Sequence, residues 1–183
     1  MGYNVFMDIQ IASKRITLIT TTRSTIASRI PPYIHTAITK FGKVLVVDAG
    51  FNLNPHIIVN HLVENHINPL NILDNTLITR AFSCYQLQST LAGVKPSNTP
   101  LVILFMLSTF DSEDINIRDR RRILSKCIQS IKAYPGSVLV IHHYRCKQKE
   151  LFDQLKLSAG TVLSIGLPSS EPKPLTLFED NNG

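Results

Sequence analysis

The chain has 183 residues, of which 44% are hydrophobic and 17% are charged, which excludes a disordered chain and allows one well-buried domain rather than two. The longest apolar run, residues 101–107, is far shorter than the roughly 20 residues of a membrane span, and no secretory leader is apparent at the N-terminus. The formal net charge of +6 favours acidic partners such as nucleic acid.

Strand-like apolar runs alternate with helix-like runs along the sequence. Unbroken apolar strands are typical of a parallel sheet that helices cover on both faces. Pro31 and Pro32 are expected to interrupt the first long helix, because proline lacks a backbone donor and clashes with the preceding turn. In chain order, we predict strands at residues 15–20, 43–49, 76–82, 101–107 and 138–141, and helices at 24–41, 56–66, 85–94, 117–134 and 150–157.

The predicted fold class is a three-layer α/β domain with a mainly parallel sheet. Four strands are expected in its centre, namely residues 44–48, 77–82, 101–107 and 138–141. Residues 1–183 are predicted to form a single domain whose core covers about 14–167. The remaining residues, 168–183, are expected to hold the second strand of a hairpin, pairing 175–178 with 161–167, and a frayed tail.

The cysteines do not form a metal or redox motif, since Cys84, Cys127 and Cys146 are widely spaced and no C-x-x-C pair occurs. They predict reduced thiols in an intracellular protein, located in the cytoplasm, nucleoid or nucleus. A catalytic pairing of Cys84 with His142 is the weaker interpretation. Three further histidines have a spacing of five that does not place them on one helix face, so no metal site is expected at His56, His61 and His66.

Three segments together resemble the core of the RecA-like superfamily, especially its archaeal and eukaryotic recombinase branch and their short paralogues. Residues 43–55, KVLVVDAGFNLNP, look like the strand and loop that carry the family's catalytic glutamate. The run Arg80-Ala81-Phe82 is similar to the family's Arg-Ala-Phe strand ending, and residues 101–114 look like the second nucleotide-motif strand with its following loop. The resemblance runs over about residues 14–167 and implies a RecA-like fold of the P-loop NTPase type.

The same comparison indicates that the phosphate-binding loop has been lost. Such a loop needs glycines, so that backbone N–H groups can wrap the phosphates, and a lysine to meet their charge. Against the family pattern, Thr21 and Ile26 occupy the glycine places and Ala27 occupies the lysine place. Only Ser28 keeps the hydroxyl group that would contact magnesium.

Two further requirements of phosphoryl transfer are missing as well. The family's catalytic glutamate falls at Gly50, which cannot polarise a water molecule, and the magnesium-binding aspartate falls near Phe105. No G-x-x-x-x-G-K motif occurs elsewhere in the sequence. The chain is therefore predicted to be no ATPase and to use no cofactor.

Basic residues cluster in the predicted helix 117–134. Arg118, Arg122 and Lys126 share one exposed face at helical spacing, and Arg121 lies on its flank. They predict a surface for phosphate or for an acidic partner. The alternative is a solvated face that is paired locally with upstream carboxylates, which are Asp111, Glu113, Asp114 and Asp119.

A second basic segment follows the predicted strand 138–141. Arg145 and Lys147 lie where the strand ends, and ligands of open α/β sheets bind at the carboxyl ends of the strands. We therefore include both residues in the predicted nucleic-acid or partner-binding surface. A simple polar rim is the alternative.

The resemblance, together with the missing nucleotide motifs, implies a non-catalytic, RecA-like accessory protein of DNA recombination or repair. Its partners would be DNA, bound weakly and without sequence preference, and a protein such as a RecA-like recombinase or a second copy of itself; no membrane is expected. One alternative is a pure protein-interaction regulator similar to the SulA-type division inhibitors, which keep a RecA-like fold without a P-loop. Another is a small α/β enzyme that uses Asp48, Arg80 and His142.

Overall fold

The computed structural model describes residues 16–50, 53–111 and 115–166. These residues form strands and helices in alternation, as the apolar pattern predicts. In chain order the elements are β1 (Ile16–Thr21), α1 (Arg23–Phe41), β2 (Val44–Asp48), α2 (Pro55–Glu64), α3 (Pro69–Asp74), β3 (Thr76–Arg80), α4 (Cys84–Gly93), β4 (Leu101–Leu104), a 3-10 turn (Met106–Phe110), α5 (Ile117–Ala133), β5 (Val138–His143), α6 (Lys149–Ser158) and β6 (Thr161–Ile165).

The six described strands form one sheet in the order β3-β2-β4-β5-β1-β6, and every neighbouring pair is parallel. In register, Leu18 of β1 lies opposite Val140 of β5 and Val162 of β6. The predicted α/β class with a mainly parallel sheet is confirmed. Its physical basis is the apolar character of β4 and β5, in which the residues from Leu101 to Leu104 and from Val138 to Ile141 are all buried.

Two hydrophobic cores lie on the two faces of this sheet and produce the three layers. Helices α1, α2 and α3 cover one face, where Ile19, Val46 and Leu139 are buried among their side chains. Helices α4, α5 and α6 cover the other, which holds Leu18 and Val140. Successive residues of a strand point to opposite faces, so neighbours such as Leu18 and Ile19 enter different cores.

Strand β3 lies at the edge of the sheet, and its predicted place in the centre is wrong. Only Thr76 of this strand is buried, whereas Leu77 is 51% exposed and Ile78 is 37% exposed. The two adjacent apolar residues 77 and 78 are of the kind found in a strand that helices cover on both faces, which is why the sequence predicts a central position. Strand order, which depends on contacts distant in sequence, decides which apolar strand remains at the edge.

The predicted strand 101–107 is too long, because β4 ends at Leu104. Phe105 has a left-handed backbone with φ 56° and ψ 37°, and a 3-10 turn follows it. Phe105, Met106 and Leu107 nevertheless remain buried. Apolarity therefore predicts the burial of this segment correctly but not its backbone conformation.

Helix α1 continues through Pro31 and Pro32, so the predicted interruption is also wrong. Tyr33, Ile34 and Ile38 beyond the prolines are buried in the core beneath α1. Their burial offsets the two backbone hydrogen bonds that proline cannot donate.

Helix α3 was not among the predicted elements. It begins at Pro69 after Asn68, whose side chain accepts a hydrogen bond from Leu70 N.

At the other end of the chain, β6 pairs with β1 in parallel. The second strand of the predicted hairpin, 175–178, and the whole segment 168–183 lie outside the described residues. No helix in the described ranges is long and apolar enough to cross a membrane.

Gly136, in the turn between α5 and β5, provides a test of packing. A Cβ atom at this position would lie 2.6 Å from Thr99 O and 2.8 Å from the Tyr134 ring. Tyr134 is itself held there, because its hydroxyl group donates a hydrogen bond to Thr99 O at 2.6 Å. We expect Gly136→Ala to lower the free energy of unfolding by about 1–3 kcal/mol, measured by urea denaturation.

Gly93→Ala is the matched control. Nothing lies within 4 Å of a Cβ atom at Gly93, the last residue of α4. Replacing a helical glycine by alanine at an open position raises stability by up to about 1 kcal/mol. Equal stability of the two variants would contradict the crowding at Gly136.

Candidate functional site

The carboxyl edge of the sheet is where the candidate site lies. Strands β1 and β2 continue into helices on one face, whereas β4 and β5 continue into helices on the other. The connections therefore diverge between β1 and β5 and between β2 and β4. Such divergence opens the crevices in which parallel α/β domains bind ligands.

Only Thr22 separates β1 from α1. Its hydroxyl oxygen accepts a hydrogen bond from Thr25 N at 3.2 Å and so caps the helix. Thr21 is fully buried, and its hydroxyl group donates to Ile165 O of β6 at 2.6 Å. The resemblance assigns residues 20–28 to a phosphate loop, but residues 23–28 of that stretch are the beginning of a helix.

An apolar cavity of about 210 Å³ lies beside this junction, between α1 and α2. Three positions assigned to nucleotide binding, Ile26, Ala27 and Phe105, meet in its wall. Ser28 is exposed instead, and its hydroxyl group donates to Thr25 O at 3.1 Å within the helix. The other lining residues are Ile30, Pro31, Leu53, Asn54, Ile57, Ile58 and Leu104.

The carboxylate of Asp48, at the end of β2, is fully buried. It accepts a hydrogen bond from Leu53 N at 3.0 Å and lies 3.7 Å from Arg80 Nε. The Arg80 guanidinium group donates in turn to Leu53 O at 3.3 Å. This network joins Leu53 to the ends of β2 and β3, which is a structural role for the buried charge.

The structure does not bring together the three residues of the enzyme alternative. Asp48 and Arg80 are paired, but His142 follows β5, and β4 lies between β2 and β5. Two strand spacings separate the Asp48 and His142 backbones by about 10 Å. Leu53 of the Asp48 network lines the apolar cavity, whereas His142 lines a second, polar cavity.

A polar cavity of about 470 Å³ opens at the ends of β4 and β5. His142 is 4% exposed, and its Nε2 atom lies 3.1 Å from Cys146 Sγ. Cys84, the cysteine considered as a partner of His142, is instead buried in the core beneath α4. The polar cavity is lined by Phe105, Leu107, Ser108, Asp111, His142, His143, Arg145, Cys146 and Lys147.

The thiol–imidazole pair is uncharged at neutral pH. Burial lowers the pKa of His142, the neighbouring His143 adds to this effect and Asp111 opposes it, and the resulting pKa is about 4. Burial raises the pKa of the Cys146 thiol. Since a thiolate is the reactive form of cysteine, Cys146 is not an activated nucleophile in this arrangement.

The two predicted basic segments lie beside each other. Arg121 of α5 forms a 2.5 Å salt bridge with Glu150 of α6, and Arg120 donates to the side chain of Gln148 at 3.3 Å. Arg122 pairs with Asp119 at 3.1 Å. The contacts of Arg121 and Arg120 place the N-terminal part of α5 against the segment that follows β5. The sequence does not predict these two contacts, because the partners are 28 and 29 residues apart in the chain.

Local pairing, the alternative for the basic helix, holds for part of it. Among the described residues Arg118 and Lys126 form no ion pair, and both are exposed. Glu113 and Asp114, two of the carboxylates considered as partners, lie outside the described residues. Of the four basic residues predicted to form this surface on the helix, Arg118 and Lys126 are therefore the two without a carboxylate partner among the described residues.

No protein family model matches this chain, and no curated protein matches it. Within the described ranges, no group of three or more His, Cys, Asp or Glu side chains is arranged to hold a metal ion. The assignment of a function therefore rests on the geometry of the sheet edge.

The buried His142 predicts a pH dependence of stability. Its pKa is about 4 in the folded chain and 6.5 ordinarily. Between these values the unfolded chain binds a proton at His142 that the folded chain does not, so stability falls as the pH falls through this window. We expect a loss of up to about 3 kcal/mol, measured by urea unfolding across the window.

The variant His142→Gln should lose this part of the pH dependence, whatever its absolute stability. His143→Gln, which changes the neighbouring and more exposed imidazole, should retain it. An unchanged slope in His142→Gln would show that another group causes the dependence.

Proposed function

We propose that this chain is a non-catalytic, RecA-like accessory protein that binds DNA or a partner protein in DNA recombination or repair. The observation that carries the proposal is the junction of β1 and α1. A single residue, Thr22, joins them, and three of the four assigned phosphate-loop positions, Ile26, Ala27 and Ser28, lie in α1, next to an apolar cavity. A domain of this kind acts through its surface rather than through hydrolysis.

The chemistry of phosphoryl transfer supports this interpretation. Transfer needs a phosphate cradle, a bound magnesium ion and an oriented nucleophile. Ile26 stands where the phosphate cradle would be required and Phe105 where a magnesium ligand would be required, and both line the apolar cavity. The catalytic glutamate is replaced by Gly50, which has no carboxylate. Placing a phosphate against these apolar groups would remove it from water without replacing its hydrogen bonds.

The order of the strands supports the resemblance over two other doubly wound folds. Dinucleotide-binding domains have the order 3-2-1-4-5-6 and flavodoxin-like domains the order 2-1-3-4-5, so that β1 and β2 are adjacent in both. Here β4 and β5 lie between β1 and β2. This order therefore matches neither of those folds.

The edge at β3 supports the part of the proposal that concerns a protein partner. Leu77 and Ile78 are exposed on this strand, and Phe82 and Tyr85 are 68% and 53% exposed just beyond it. An edge strand also presents backbone groups that an extended segment of another chain can pair with. A RecA-like recombinase or a second copy of this chain would supply such a segment.

The exposed face of α5 supports the part that concerns DNA. Arg118 and Lys126 lie on this face, and the opposite side of the helix packs in the core through Ile123, Leu124 and Cys127. The cations therefore remain in water, where they attract phosphates over a distance that salt screens.

We expect that this chain neither binds Mg-ATP tightly nor hydrolyses it. Calorimetry should detect no binding of Mg-ATP at micromolar affinity, and the purified chain should release no phosphate from ATP, because the loop and both carboxylates are replaced. A RecA-like ATPase measured in the same assays is the positive control. Magnesium-dependent turnover that persists through purification would contradict the proposal.

We expect that this chain binds single-stranded DNA weakly through the exposed face of α5. Binding should weaken with salt, with a slope of about −0.7 in log K per log salt concentration for each neutralised phosphate. Arg118→Gln/Lys126→Gln should therefore make the slope shallower by about 1.4, as fluorescence anisotropy with a labelled oligonucleotide would show. Thermal stability should change little, since both side chains are exposed.

Lys43→Gln/Lys95→Gln is the charge-matched control. Both lysines are exposed and precede β2 and β4, at the opposite end of the sheet. This variant should keep the parental slope. If the two double variants bind alike, the face of α5 is an ordinary solvated surface.

A further inference from the structure

We propose that the polar cavity at the ends of β4 and β5 binds the terminal phosphate group of a small phosphorylated ligand, with Arg145 and Lys147 as its cationic residues. This site goes beyond the proposed function and does not depend on it. It lies across Phe105 from the apolar cavity, since Phe105 lines both.

The size and position of the cavity fit a small ligand. Its volume of about 470 Å³ falls in the range of small-molecule sites and exceeds what a single phosphate group fills. It lies at the carboxyl ends of adjacent parallel strands, the position at which α/β domains bind ligands. Arg145 and Lys147 are exposed at its rim, where a ligand from solvent would meet them first.

The hydrogen-bond donors favour an anion. Arg145 and Lys147 supply a guanidinium group and an ammonium group, and Ser108 supplies a hydroxyl group. His143 Nδ1 accepts a hydrogen bond from Arg145 N at 3.2 Å. The tautomer in which Nδ1 accepts carries its proton on Nε2, so this ring can act as a fourth donor in the wall.

The carboxylate of Asp111 sets a limit on the affinity. It lines the same cavity and repels an anion, although its Oδ1 atom also accepts a hydrogen bond from Gln148 Nε2 at 3.3 Å. A carboxylate accepts hydrogen bonds from hydroxyl groups. A phosphate monoester with hydroxyl groups on its body therefore fits the wall better than a bare anion.

Two arrangements around Arg145 favour a positioned cation over a freely moving one. The Arg145 guanidinium group lies over the Tyr144 ring, 5.3 Å from its centroid. The following residue, Cys146, is held by the contact of its Sγ atom with His142 Nε2 at 3.1 Å. The segment that carries Arg145 and Lys147 is thus fixed to the end of β5 through His142.

Inorganic phosphate is the probe, titrated at constant ionic strength and followed by the amide resonances of the full chain. We expect shifts concentrated in residues 108–111 and 142–148, with a Kd of about 1 mM. Arg145→Gln/Lys147→Gln should weaken binding at least about tenfold, because it removes both charge-assisted donors. Glycerol 3-phosphate should bind more tightly than inorganic phosphate.

Lys43→Gln/Lys95→Gln is the control, since it removes the same charge at the opposite end of the sheet, away from both proposed binding surfaces. It should change the Kd for phosphate less than about twofold, because long-range attraction is screened. Equal weakening by both double variants would overturn the proposal in favour of general charge attraction.

A labelled oligonucleotide distinguishes free phosphate esters from nucleic-acid phosphates. The site is a small-ligand site if glycerol 3-phosphate competes poorly with the oligonucleotide yet still shifts residues 142–148. The proposal is overturned if only the oligonucleotide shifts these residues, or if no phosphate compound does so at about ten times the expected Kd.

Discussion

The left-handed turn at Phe105 is the constraint on which the rest of the sheet edge depends. Phe105 N donates a hydrogen bond to Ile141 O at 2.8 Å, and Ser108 N donates to Phe105 O at 2.9 Å. A bulky residue in this conformation costs about 1–3 kcal/mol, and it persists only where its surroundings hold it. Here burial of the ring between the two cavities supplies that restraint.

This turn separates two chemically different halves of the edge. On the side of α1 and α2, apolar side chains such as Ile26 line the cavity, and none of the described residues in its wall is charged. On the side of α5 and α6, the cavity holds Arg145, Lys147 and Asp111. An anion is therefore favoured on the side opposite to α1, whose first residues the resemblance assigns to phosphate binding.

The sequence predicts the parallel sheet well because apolarity reports burial directly, and residues 138–141 are buried throughout. The sequence does not predict the backbone conformation or the place in the sheet of every apolar residue. Phe105 is as apolar as a strand residue but turns left-handed, and Leu77 is as apolar as a core residue but lies at the edge. The pairing of His142 with Cys146 was missed, although a spacing of four after a strand end was a usable signal.

The two interpretations of the basic helix, local pairing and partner binding, are compatible in physical terms. The Arg121–Glu150 and Arg122–Asp119 bridges are exposed, and exposed ion pairs contribute at most about 1 kcal/mol each. A charge-assisted hydrogen bond to a phosphate is worth at least as much, so a polyanion can displace either carboxylate. In the proposed complex, Arg118 and Lys126, which form no ion pair among the described residues, would provide the first contacts, and the paired arginines would extend the surface.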